Sequence, residues 1–310
     1  MNEFNNDGTG SDMQAIDGFR KNYLAVAQNG STPIDYPYTY NFATNTGKQI
    51  TGMDLDKDGK VGSPDDAIGF GQYHGQYAFT VLSRYPLDTD NMRTFQNFKW
   101  KDIRATNPVI ADKESCNAAR DKKDNGPIYN YCLKNIGNAW YTEEEWNNLP
   151  LSSKNHVDLP VKLPNNKTVH FLVSHPAPPI SDNPIKHNTL RNADEVKFWV
   201  DYISGNPADS IYIYDDKGTN GGLMPNASFV IAGDMNADAY VGDGDKGPIN
   251  NLLNHERINQ QISSGNIPTS SGAVEYVQLG VDSRKLFIRK ASPIPATSIW
   301  TMFYPLPALA

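Results

Sequence analysis

The stretch Phe229-Val230-Ile231-Ala232-Gly233-Asp234-Met235-Asn236-Ala237-Asp238 decides how this chain is read. Four apolar residues in a row predict a fully buried strand. The strand stops at Gly233 and delivers Asp234, Asn236 and Asp238 together at its end. A carboxylate and an amide two apart suit phosphoryl chemistry. The carboxylate can orient or deprotonate an attacking water, and the amide can donate to a phosphate oxygen. By spacing alone, a polar turn after a strand is the commoner use of such residues.

The chain of 310 residues is long enough for one large domain or two small ones, and one is the simpler reading. With 24 Gly, 21 Pro and 38% hydrophobic residues it reads as loop-rich and globular, and no apolar run is long enough for a membrane-spanning helix. The net charge of −7 argues against a broad phosphate-tracking surface, so any nucleic-acid contact would be local or metal-mediated. Cys116 and Cys132 share a hydrophilic loop without companions at metal-ligand spacing. A loop-closing disulfide, implying an oxidising compartment, and two free thiols both fit.

Working outward, Ile16, Phe19, Tyr23 and Val26 predict an amphipathic helix over 13–28, and residues 30–66 are turn-rich. Residues 76–83 read as a strand ended by Arg84-Tyr85-Pro86. Residues 101–150 read as an elaborated surface insertion with a short helix over 142–147. Strands over 157–163 and 168–174 flank a hairpin turn at Pro164-Asn165-Asn166-Lys167. Asn192 and Glu195 read as a capping-box start for a helix running to Gly205, with another short helix over 249–255. This pattern predicts an α+β fold of mixed sheets covered by helices.

Four further constellations could carry chemistry. His175 follows the strand-like run 169–174, where it is either structural or the partner of Asp234 across two strand ends. The run 54–65 matches a calcium loop: Asp54, Asp56 and Asp58 at positions one, three and five, Gly59 at six and Asp65 at twelve. Alternate side chains of such a tight loop converge on one hard cation, although Asp65 is shorter than the usual Glu and flanking helix patterns are weak. Gly69-Phe70-Gly71-Gln72-Tyr73-His74-Gly75-Gln76-Tyr77 is either a tight packed loop or a ligand-facing one presenting Gln72, His74 or Tyr77. Lys154 and His156 either bring positive charge to a phosphate or are solvated loop residues. The run Asp243-Gly244-Asp245 reads as a solvated turn or the start of the next helix.

Together, Asn2-Glu3-Phe4, the acidic loop running into Gly69-Phe70-Gly71, Val81-Leu82-Ser83-Arg84-Tyr85-Pro86, Ser174-His175-Pro176 and Gly233-Asp234-Met235-Asn236-Ala237-Asp238 resemble the endonuclease/exonuclease/phosphatase superfamily, the deoxyribonuclease-I-like fold. More narrowly, they look like a bacterial subfamily of extracellular or surface proteins. The resemblance implies a four-layer α/β/β/α sandwich and metal-dependent hydrolysis of phosphodiesters or phosphomonoesters, including nuclease activity. Carried over by position, Glu3 would bind a catalytic Mg²⁺ or Mn²⁺, Asp234 would activate the water, Asn236 would contact the scissile phosphate and His175 would act near the leaving group. The implied partner is a phosphoester or nucleic acid, with small or short substrates favoured by the charge, and the implied state is a monomer outside the cell or at its surface. The alternative is a calcium-stabilised extracellular binding or surface protein without catalysis, resting on Asp54, Asp56, Asp58 and Asp65.

The same resemblance predicts departures. The first strand with its Asn and the terminal Asp-His element are not found, so Glu3 would have no preceding strand to hold it and the chain would be weakly active or inactive. The expected division is a domain over 1–281, incomplete at both ends, and an anomalous tail over 282–310. Codons for Trp300-Thr301-Met302-Phe303-Tyr304-Pro305, read from the third base of the Trp codon, must encode Asp, then a codon allowing Tyr, then Val and Leu. An Asp-Tyr-Val-Leu strand is what the family would carry there, so a frameshift is expected to have replaced the C-terminus.

Overall fold

Strand alternation puts Leu172 and Val173 on opposite faces of one sheet, and two separate cores form there. A computed structural model describes residues 1–121, 126–240, 242–261 and 263. The expected boundary at 281 and the tail over 282–310 lie outside the described residues. Strands are β1 (Tyr38–Asn41), β2 (Thr80–Ser83), β3 (Arg93–Thr94), β4 (His156–Lys162), β5 (Thr168–Ser174) and β6 (Ser228–Ala232). Helices are α1 (Gln14–Phe19), α2 (Trp100–Ile103), α3 (Pro127–Lys134), α4 (Glu143–Asn148), α5 (His187–Tyr202), α6 (Pro207–Ser210) and α7 (Lys246–Leu253).

The larger sheet has the order β3-β4-β5-β6, with β4 and β5 forming the expected antiparallel hairpin and β6 parallel to β5. On one face Leu172, Phe229 and Ile231 pack with Val196, Trp199 and Ile203 of the α5 region and Ile249 and Leu252 of α7. On the other face Val157, Leu159 and Val173 meet Phe42, Phe79 and Val81. Those last residues belong to or flank the small antiparallel sheet of β1 and β2. The layers are therefore helix, sheet and sheet. Helix α1 is moored to the small sheet by the Asn41 side chain, which donates to Asp12 O at 2.9 Å.

Several expectations are revised by tertiary context. The run 229–232 is not uniformly buried: Phe229 and Ile231 are, while Val230 and Ala232 are partly exposed. Strand β6 pairs with β5 alone among the described strands and so lies at the edge of the larger sheet. Strand β1 arises inside the turn-rich 30–66 segment because β2 offers it a partner edge. The first helix is shorter than 13–28, passing into a π-helical turn over Arg20–Leu24. Of its expected buried face only Ile16 is buried, whereas Tyr23 and Val26 are exposed. Helix α5 begins at His187, so Asn192 and Glu195 lie in its middle and cap nothing. Asp245 does cap α7, its carboxylate accepting from Gly247 N.

The 101–150 segment is a structural wall rather than a surface elaboration. Ile110, Cys116, Cys132, Trp140 and Trp146 are buried in the main core beside Trp100. Thr142 and Glu145 form a capping box at the start of α4, as the expected short helix requires. Cys116 and Cys132 are joined by a disulfide across 16 positions. In a chain-entropy account, closing a loop of that size restricts the unfolded state by about 3 kcal/mol. Replacing both cysteines with alanine is therefore expected to lower unfolding stability by about 3 kcal/mol. Urea denaturation checks this, and an unchanged midpoint would show that packing alone holds the wall.

Candidate active site

The parallel register pairs Val173 with Ala232, so the next residues of β5 and β6 leave the sheet side by side. That register brings His175 and Asp234 to one edge. Gly233 makes the turn possible: its φ is +148°, and a Cβ there would lie 2.0 Å from Ser174 O. Asn236 follows at φ +48°, a left-handed conformation that short polar side chains tolerate. Its backbone N–H donates to Asp234 Oδ1 at 3.0 Å and its side chain to Pro176 O at 3.0 Å. Asp238 turns away into its own loop, accepting from Tyr240 N at 2.7 Å.

Glu3 reaches the same edge from the N-terminal segment. Thr80 N donates to Met1 O at 3.0 Å and Phe4 N to Ala78 O at 2.9 Å, so residues 1–4 are held against the chain leading into β2. This pairing replaces the support that Glu3 was expected to lack. Glu3 itself sits at φ +58° and Tyr77 opposite at +60°, two left-handed non-glycine residues beside one cleft. His175 Nε2 lies 3.9 Å from Glu3 Oε1 and 4.0 Å from Asp234 Oδ2, too far for direct hydrogen bonds.

Electrostatics separate the roles of these groups. Burial, reinforced by the Lys154 ammonium, holds the His175 imidazole far below its usual pKa, so it is neutral at pH 7. Burial also raises the Asp234 carboxyl, opposed by Asn236 N–H and Lys154. The Glu3 carboxylate is open, its side chain 63% exposed. Lys154 is buried and pushed down to about 8, and it feels the charges of Glu195, Glu3 and Asp234.

One turn of α5 fixes this arrangement. Arg191 Nε donates to Leu151 O at 2.7 Å, Nη2 to Pro150 O at 2.9 Å, and Nη1 to Ile68 O. The Asn192 amide donates to Ala177 O at 2.8 Å and Met235 O at 2.9 Å. The Glu195 carboxylate accepts from Ser153 N and Ala177 N, both at 2.6 Å, and from Ser153 Oγ at 2.9 Å. The loops that carry Lys154, His175 and Asn236 are thus tied to one helix. Sequence reasoning missed these roles, yet Asn192 and Glu195 lie seven and four residues before Trp199, on the apolar stripe.

The remaining candidates divide. His156, expected beside Lys154 as a source of charge, is buried between Ser152 Oγ and Glu195 O and pushed down to about 4 by burial, so it is neutral and structural. His74 is packed over Gly8 and bonds Thr44 O, and the Gln72 backbone N–H donates to Gln76 Oε1, whereas Tyr77 lines the cleft. Asp54, Asp56 and Asp58 converge, each offering an oxygen within 4.8 Å of the others. Asp65 instead pairs with Arg120 at 2.5 Å, and its neighbour Asp66 staples the loop by accepting from Leu55, Gly62 and Ser63 N–H groups. A buried Lys57–Glu145 pair at 2.6 Å and the Trp140 indole on Leu55 O fasten this loop to the 101–150 wall.

Glu3, Tyr77, Lys154, His175 and Asn236 open into one cleft of about 1060 Å³. The Endonuclease/Exonuclease/phosphatase family model matches residues 2–279, and the chain belongs to that family. No curated protein and no solved structure matches it significantly. The family assignment and the mixed α+β architecture agree.

Replacing Glu195 with alanine strands three buried donors and leaves Arg191 and Lys154 without their nearest counter-charge. The expected loss of stability is about 3–5 kcal/mol, read by urea denaturation, with a smaller loss for Glu195→Gln. A loss below about 1 kcal/mol, the scale of a single net hydrogen bond, would show that the clamp is dispensable.

Proposed function

We propose that this member of the endonuclease/exonuclease/phosphatase family hydrolyses phosphoesters with a divalent cation, at the edge where His175, Asp234, Asn236 and Glu3 meet. The observation that carries the reading is the convergence of two carboxylates on one neutral imidazole, with a buried ammonium behind them. Glu3 is open to solvent and so available to a cation, and neither it nor Asp234 has a Lys or Arg side chain within ion-pair distance among the described residues. Glu3 would hold Mg²⁺ or Mn²⁺, which supplies positive charge to the phosphate oxygens when bound.

The chain's own residues do the rest. Asp234 orients a water, its charge kept accessible by the Asn236 N–H and Lys154. The second amide hydrogen of Asn236 is available to a phosphate oxygen, the first being given to Pro176 O. His175 stands as a neutral hydrogen-bonding group near the leaving oxygen. Among the described residues one imidazole, not a pair, stands beside the carboxylates, so turnover is expected to be slow. The net charge of −7 favours small phosphoesters or short, accessible nucleic acid over long duplex. The disulfide suits an extracellular or cell-surface location.

Hydrolysis of bis-p-nitrophenyl phosphate tests this reading. We expect slow turnover with Mg²⁺ or Mn²⁺, abolished by a chelator and reduced roughly 100-fold or more by Asp234→Ala. Turnover that ignores either change would place the chemistry elsewhere.

A specific observation also supports a structural Ca²⁺ in the 54–58 loop. Asp54 Oδ1 is buried without a hydrogen-bond partner among the described residues, and the Asp56 carboxyl is pushed up to about 6 by burial and by Asp66, Asp58 and Asp54 around it. A hard cation relieves both. Saturating Ca²⁺ is expected to raise the thermal midpoint, with about 2.7 kcal/mol of stabilisation at a hundredfold excess over Kd. Asp56→Asn should remove most of that rise, and an equal rise in the variant would dismiss this loop as the site.

A further inference from the structure

The cleft is much larger than a phosphate group, and its far side carries an unusual pair. Phe70 is 44% exposed yet lies in a concavity rather than on an outer surface. It is held rigidly. Gly69 N donates to Asn45 O at 3.1 Å and Gly69 O accepts from Gly47 N at 2.8 Å. A Cβ on Gly69 would lie 2.0 Å from Ser153 O, and one on Gly71 would lie 2.9 Å from Gly47 N. The first of these close approaches presses the Phe70 loop against the residue preceding Lys154. The backbone segments that lead into Phe70 and Lys154 therefore meet at one contact.

Arg120 comes from the opposite wall, four residues after the disulfide-bonded Cys116. Its guanidinium carbon stands 5.8 Å from the centre of the Phe70 ring, and Asp65 anchors it at 2.5 Å. The guanidinium stands over the ring, and this stacked pair forms a shelf in the cleft it shares with Lys154, His175 and Asn236. Planar π-systems stack on aromatic rings and on guanidinium planes whatever their hydrogen-bonding edges.

We infer that the Phe70–Arg120 shelf is a subsite for a nucleobase attached to the phosphate handled at His175 and Asp234, so that the substrates are nucleoside phosphoesters. This inference rests on the phosphoester reading of the site for the position of the phosphate. The base selects the substrate by stacking, which predicts tolerance among different bases and rejection of phosphoesters that lack one.

Binding, measured by calorimetry on the full chain in Mg²⁺ buffer, separates this inference from hydrolysis. Adenosine 5′-monophosphate is expected to bind about tenfold or more tightly than ribose 5-phosphate, on the scale of base–aromatic stacking. Phe70→Leu and Phe70→Ala should collapse that ratio towards one, and Phe70→Trp, which keeps an aromatic face, should preserve it. Equal affinities in the native chain, no measurable binding of adenosine 5′-monophosphate, or a ratio that survives Phe70→Leu would overturn the subsite. A preserved base preference in a chain that hydrolyses no phosphoester would uphold the subsite and remove the hydrolytic reading instead.

Discussion

Three polar side chains on a single buried turn of α5, Arg191, Asn192 and Glu195, hold the working edge of this protein together. Between them they bond backbone groups at Ile68, Pro150, Leu151, Ser153, Ala177 and Met235. Those positions belong to loops that sequence distance would otherwise leave independent. Buried charges are expensive, and a pair of them seldom adds net stability over well-packed apolar residues. What they add here is geometry: each loop is fixed by directional bonds that an apolar helix face could not supply. Burial raises Glu195 and lowers Arg191, and their opposite charges counter both shifts.

The geometry of the edge follows from this constraint. Glu195 holds the backbone on either side of the cleft, one residue before Lys154 and two after His175. The parallel pairing of β5 with β6 then sets Asp234 beside His175. Strain collects at the same place, with Glu3, Tyr77 and Asn236 all in left-handed backbone conformations. Non-glycine residues hold such conformations only where surrounding bonds over-determine them. The second wall of the cleft rests on the disulfide-closed segment and on the Lys57–Glu145 pair, and it is tied to α5 by the Arg104–Asp194 pair and by the bond between the Tyr141 hydroxyl and His187 Nδ1.

Much of this was legible in the chain itself. The hairpin of β4 and β5, the helix after Thr142 and the strand ending at Gly233 each follow from local periodicity and turn chemistry. The placement of Asp234 and Asn236 just past the end of β6 was legible as well, because both sit at fixed offsets from a strand end. The failures share one cause. Strand β1, the buried 101–150 wall and the interior start of α5 depend on partners far away in sequence. Asn192 and Glu195 looked like a helix start because a capping box and a buried clamp use the same residue types at the same spacing. Only burial distinguishes them.

Local sequence determined the strand and helix types, the polar strand ends and the acids of the 54–58 loop, since each is written within a dozen residues, while the family resemblance rests on five such stretches taken together. Tertiary structure decided which of those acids meet, that Asp65 serves Arg120, that His156 is structural while Lys154 faces the cleft, and that Glu3 is held by the chain before β2. The reason is physical. Side-chain type and spacing limit what a residue can do, but its charge state and partners depend on burial and on bonds to distant backbone, which no local pattern encodes.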